Sequence, residues 1–116
     1  MSPSPPRQIF TLHEAHELLP TVRRLTADAV ERFEAISSRL QGLDEAEPLH
    51  ATLVAELQDV AAVWVAKIRA LGVEVKGLWL VDFDNGDGYY CWAHPEPAIT
   101  HYHGYEDGFA GRMKIV

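Results

Sequence analysis

Ile68-Arg69-Ala70-Leu71-Gly72-Val73-Glu74-Val75-Lys76-Gly77-Leu78-Trp79-Leu80-Val81-Asp82-Phe83 decides the fold, because the spacing of its apolar residues changes within the stretch. Up to Leu71 they recur at three and four residues, continuing the series Leu49, Leu53, Leu57, Val60, Trp64, Ile68 that marks one face of a helix. Beyond Gly72 the period falls to two, with Trp79, Val81 and Phe83 on one face and Leu78, Leu80 and Asp82 on the other, which is a strand. Gly72 itself supplies a left-handed helix cap followed by an apolar residue. A helical half that passes directly into a β half predicts an α+β fold.

Working back from that junction, Gly42 and the run Asp44-Glu45-Ala46-Glu47-Pro48 interrupt the helical pattern, and Asp44 and Pro48 are residue types that start helices. This is a hairpin turn. The first helix begins at Leu12, because Thr11-Leu12-His13-Glu14 has the form of a capping box. Its apolar seam runs Ala15, Leu19, Val22, Thr26, Ala29, Phe33, Ile36, Leu40, Leu43 in alternating steps of four and three, as in a coiled coil, with only Thr26 polar. Pro20 removes an N–H and predicts a kink or break near Leu18 and Leu19. Two such helices on a short turn pack antiparallel.

Working forward, Asn85-Gly86-Asp87-Gly88 is a turn and Tyr89 to Trp92 the returning strand. Pro95 and Pro97 bracket a second turn before a third strand, Ala98 to His103. The expected architecture is therefore α+β: a long antiparallel helical hairpin over 11–71, a three-stranded antiparallel β-meander over 73–103, and an ordered C-terminal loop over 104–116. Residues 1–9 read as a flexible lead-in to this single domain.

The bulk composition agrees with that reading. A 116-residue chain with 47% hydrophobic and 23% charged residues can bury one ordinary core. The longest apolar stretch, Val60 to Ala66, is far short of the twenty or so residues that cross a bilayer, so no membrane association is expected. The N-terminus lacks the apolar core of a signal peptide, and a lone cysteine, Cys91, suits a reducing compartment, so the expected address is cytoplasmic. A net charge of −7 without a basic cluster disfavours nucleic acid as a partner.

Four segments together carry a resemblance: Phe10-Thr11-Leu12-His13-Glu14-Ala15 with Leu18-Leu19-Pro20; Gly72 to Gly77 leading to Val81-Asp82-Phe83; Cys91-Trp92; and His103-Gly104 with Gly108-Phe109-Ala110-Gly111-Arg112. They resemble the small prokaryotic proteins grouped as domain of unknown function 2203. The resemblance covers nearly the whole chain and implies a compact single-domain protein without assigning an activity. Tyr102 stands where that pattern has a Trp, and His94-Pro95-Glu96-Pro97 where it has a Gly-Glu turn.

Among residues with chemical capacity, His101 and His103 lie two apart on a strand and so share a face, and Glu96 and Glu106 flank them. These four are the expected ligands of a divalent transition metal, should one be bound. Asp82 breaks an apolar strand and needs a partner, which Arg112 or Lys76 could be, either in a salt bridge that fastens the C-terminal loop to the sheet or with Arg112 as the centre of an anion or substrate site. Phe109, amid three glycines, is expected to fill an apolar site as the loop folds back. A metal-free site around Cys91, His103 and Asp82 is a further alternative, so whether the chain is an enzyme stays open and no catalytic residue is assigned.

Two functional readings follow. The leading one is a non-enzymatic interaction module that forms a homodimer through the helical hairpin, because a first helix of about thirty residues spans some 45 Å and outruns a three-stranded sheet. The alternative is a small metal-binding protein or metalloenzyme built on His101 and His103.

Overall fold

The computed structural model describes residues 8–116, so the first seven residues of the expected lead-in lie outside the described part. The helices are α1 (Leu12–Leu40) and α2 (Pro48–Ala70), and the strands are β1 (Glu74–Gly77), β2 (Leu80–Asp84), β3 (Tyr89–Ala93), β4 (His101–His103) and β5 (Met113–Lys114). A 3₁₀ turn, Phe109–Gly111, precedes β5.

The capping box closes as its sequence predicts: Glu14 N–H donates to Thr11 Oγ1 at 3.1 Å, and Thr11 N–H to Glu14 Oε1 at 2.9 Å. α1 then runs unbroken through Pro20, so of the expected kink or break the structure excludes the break. The lost hydrogen bond is outweighed because Leu19 and Val22, flanking the proline, are locked into the core. Ala15, Leu19, Val22, Thr26 and Ala29, the first five seam residues, are the buried residues of α1. Thr26 is satisfied there: its hydroxyl donates to Val22 O at 2.7 Å and accepts from Trp64 Nε1 on α2 at 2.9 Å, which ties the two helices together at that level. Phe33, Ile36, Leu40 and Leu43, the distal seam, are only half-buried.

α2 ends where Gly72 adopts φ +83°, in a place where a Cβ would also lie 2.7 Å from Gln8 Cγ. The sheet that follows has five strands rather than three, in the order β1-β2-β3-β4-β5, each antiparallel to its neighbour. Two strands escaped the sequence pattern. The chain reverses between β1 and β2 at Leu78-Trp79, with no conventional turn residue and with Trp79 at φ 64°. Trp79 is thus not part of the strand, although its ring still packs edge-on against Trp64 and Phe33, at 4.9 and 5.5 Å between centroids. β5 pairs with β4 at the other edge, so the C-terminal segment contains a strand as well as a loop.

One face of the sheet, through Val81, Phe83 and Trp92, joins the helix residues Ala15, Leu19, Val22, Trp64 and Ile68 in a single apolar core. Phe10 completes it from the N-terminal side, its N–H donating to Asp84 O at 2.7 Å and its ring edge meeting Phe83. No helix among the described residues is long and apolar enough to cross a membrane.

Candidate functional site

Alternation along the strands sends every second side chain to the face of the sheet away from the helices. Register then decides which of these meet: Asp82 pairs with Cys91 and Cys91 with His101, while Asp84 pairs with Tyr89 and Tyr89 with His103. This face would ordinarily be wet. Here the segment after β4 returns across it, and Asp82, Cys91 and His103 retain only 2%, 1% and 4% of their surface. β4 can approach β3 this closely because residue 88 is glycine, since a Cβ there would stand 2.5 Å from the His103 carbonyl oxygen.

His103 is fixed at both ring nitrogens. Nδ1 lies 2.8 Å from Gly104 O, and a carbonyl only accepts, so Nδ1 carries the hydrogen and donates. Nε2 faces Asp82 Oδ2 at 3.0 Å. The other oxygen of that carboxylate, Oδ1, is buried and has no hydrogen-bond partner, although the Cys91 thiol lies nearby. Burial pushes the Asp82 carboxyl above its ordinary range, against the pull of the His103 hydrogen bond. Burial likewise pushes the Cys91 thiol up to about 12, the neighbouring Asp82 charge adding to the effect and Arg112 opposing it. The three side chains line one wall of a pocket of about 370 Å³, which Lys76, Tyr89, Tyr105 and Phe109 help enclose.

The ligating atoms of Asp82, Cys91 and His103 all lie within 4.8 Å of one another, and no other group of three or more His, Cys, Asp or Glu donors among the described residues is so placed. Of the four expected ligands, His103 alone belongs to it. His101 lies on the same face, half-buried, with Nδ1 2.9 Å from Thr100 Oγ1. Glu106 is exposed at the pocket. Glu96 is occupied elsewhere, accepting from Ala93 N–H at 2.8 Å and holding Arg112 in a bidentate pair at 3.0 and 2.8 Å.

The expected Asp82–Arg112 clasp is therefore replaced by a Glu96–Arg112 clasp, and Asp82 takes His103 instead. Glu96, in the turn after β3, meets Arg112 in the segment between the 3₁₀ turn and β5, whereas Asp82 is buried on β2 against His103. Phe109 does not fill an apolar site. The residue is 47% exposed and its ring lies under the Arg112 guanidinium, 4.3 Å from ring centroid to Cζ. The spacing of the histidines conceals the cross-strand meeting of Asp82 and Cys91 beside His103, which the sequence suggests only as a metal-free alternative. The signal of that meeting is the hairpin: a turn centred between Gly86 and Asp87 places residue 91 opposite residue 82.

A protein-family profile described as "Uncharacterized conserved protein (DUF2203)" matches residues 8–115. No curated protein and no solved structure matches the chain.

Proposed function

We propose, for a chain that belongs to the DUF2203 family of uncharacterized conserved proteins, that it binds one divalent transition metal ion through Asp82, Cys91 and His103. The observation that carries this reading is the Asp82 carboxylate, buried with Oδ1 unpartnered beside a sulfur and an imidazole nitrogen. A neutral His103 with its hydrogen on Nδ1 turns a bare Nε2 lone pair toward Asp82 Oδ2, and two lone pairs 3.0 Å apart need a cation or a proton to hold them. A nitrogen, an oxygen and a sulfur donor form a set that zinc takes, and a carbonyl behind the ligating imidazole is the support such histidines usually have. Zinc bonds of about 2.0–2.3 Å would draw the more widely spaced donors somewhat closer.

The thiol's burial favours a metal ligand over a metal-free nucleophile. With its pKa pushed to about 12, Cys91 holds its proton at neutral pH, whereas a bound divalent cation displaces it. Three protein donors leave one of zinc's usual four positions to water or a small molecule from the pocket. Elemental analysis of protein purified without an affinity tag should find one transition metal ion per chain. Cobalt(II) added to chelator-treated protein should give a thiolate-to-metal absorption band that Cys91→Ser abolishes. No bound metal and no cobalt band would sink the proposal and leave Asp82 and His103 as a proton-sharing pair.

A second reading, a non-enzymatic module that associates with itself through the hairpin, is supported by a different observation. The distal seam residues Phe33, Ile36, Leu40 and Leu43 are only half-buried, and Leu49 at the start of α2 is 44% exposed.

A further inference from the structure

We infer that the groove between α1 and α2 seats the same groove of a second copy of this chain, related by a two-fold axis that passes near Val63. This rests on the reading of the hairpin as a self-associating surface and adds to it the face, the symmetry and the charge pairing. The groove, about 270 Å³ and lined by helix residues alone, has an apolar floor that includes Leu25, Ala29 and Val60. Val63 stands at its edge 53% exposed, an apolar side chain with no cover in the chain itself.

Four charges rim the groove: Asp28 and Arg32 on α1, Asp59 and Lys67 on α2. None makes an ion pair or a side-chain hydrogen bond among the described residues. Each helix offers one acid and one base, and on α2 they lie four residues to either side of Val63. A two-fold axis across the helices sets each against a reversed copy of itself. Arg32 then approaches Asp28 of the second copy, Lys67 approaches its Asp59, and Val63 meets its Val63 near the axis. The face is complementary to itself, so no other partner chemistry is needed.

Overall charge favours this face as well. Copies carrying −7 each repel in general, and they meet at least cost where the surface is locally neutral and apolar. With contact continued from the groove along the full length of the 23-residue α2, the helix-pair face measures roughly 35 by 20 Å, about 700 Å², close to the roughly 800 Å² per partner of a standard interface. The product is a four-helix bundle in which facing helices are antiparallel.

Light scattering across the micromolar range, on the full chain, tests this. Wild type should show twice the 13.0 kDa chain mass, and Val63→Arg should be monomeric with an unchanged circular dichroism spectrum, because Val63 is not a core residue. Arg32→Glu should weaken the dimer by about tenfold or more, and Arg32→Glu combined with Asp28→Arg should restore it. A wild-type monomer at every concentration would overturn self-association altogether and leave the groove to another protein. A dimer that survives Val63→Arg would overturn the groove while keeping self-association.

Discussion

His103 and Asp82, two strands apart in the sheet, face each other at 3.0 Å between Nε2 and Oδ2 with almost no solvent reaching either. A carboxylate so placed tolerates its position only because that nitrogen, or what the pair jointly holds, offsets the loss of hydration. In chelator-treated protein, His103→Ala should therefore cost about 3–5 kcal/mol, the range for breaking a buried pair by removing one partner. Asp82→Asn should cost less, since the amide keeps the shape, removes the charge and can donate to Nε2. Urea unfolding of both variants decides the matter: a loss under about 1 kcal/mol for His103→Ala would mean that Asp82 is already protonated and self-sufficient.

The loop that covers this pair is held by charge rather than by an apolar anchor. Phe109 is nearly half exposed and lies against the Arg112 guanidinium, so less area returns to water on its removal than for a fully buried phenylalanine. Phe109→Ala should cost about 1 kcal/mol or less, the scale of an exposed cation–π contact, where a buried phenylalanine would cost about 3–5 kcal/mol. Denaturant midpoints measured side by side with wild type separate these two values easily.

What the sequence disclosed and what it hid divide along the range of the interactions concerned. The α1 seam was readable down to its five buried residues because a 3.6-residue period depends only on near neighbours, and the capping box and Gly72 cap are equally local. The β1–β2 reversal was not readable. Leu78 and Trp79 have no turn chemistry, and Trp79 is held at φ 64° by rings from both helices, Phe33 and Trp64, a tertiary effect that outweighs a local cost of about 1–2 kcal/mol. The candidate site lay between these cases. That Asp82 needed a partner followed from one charged residue in an apolar strand. Which partner it took depended on register across β2, β3 and β4, and on Gly88 letting β4 come close. Histidine spacing pointed along β4, while Asp82, Cys91 and His103 meet across the strands.

Acid provides the last test, because the clasp that holds the C-terminal segment contains the one carboxylate in the region whose pKa is lowered. Burial raises the Glu96 pKa, but the Arg112 hydrogen bonds, the Ala93 N–H and the arginine's charge outweigh it and leave the group below its ordinary value of 4.5. A carboxyl whose folded pKa is depressed binds fewer protons in the folded state. It contributes stability that is complete above the ordinary value and lost as pH falls through that value toward the folded one. Wild type should therefore lose stability more steeply below pH 4.5 than Arg112→Ala, whose Glu96 has no guanidinium to keep it ionised. At neutral pH the same substitution should cost about 1–3 kcal/mol, the worth of charge-assisted hydrogen bonds that are partly shielded from water. Urea midpoints for both proteins between neutral pH and the onset of acid unfolding provide the comparison. Parallel curves would show that the arginine does not hold the loop through Glu96, and the stability of that segment would then rest on ties such as the β4–β5 pairing and the Tyr105–Asp84 hydrogen bond.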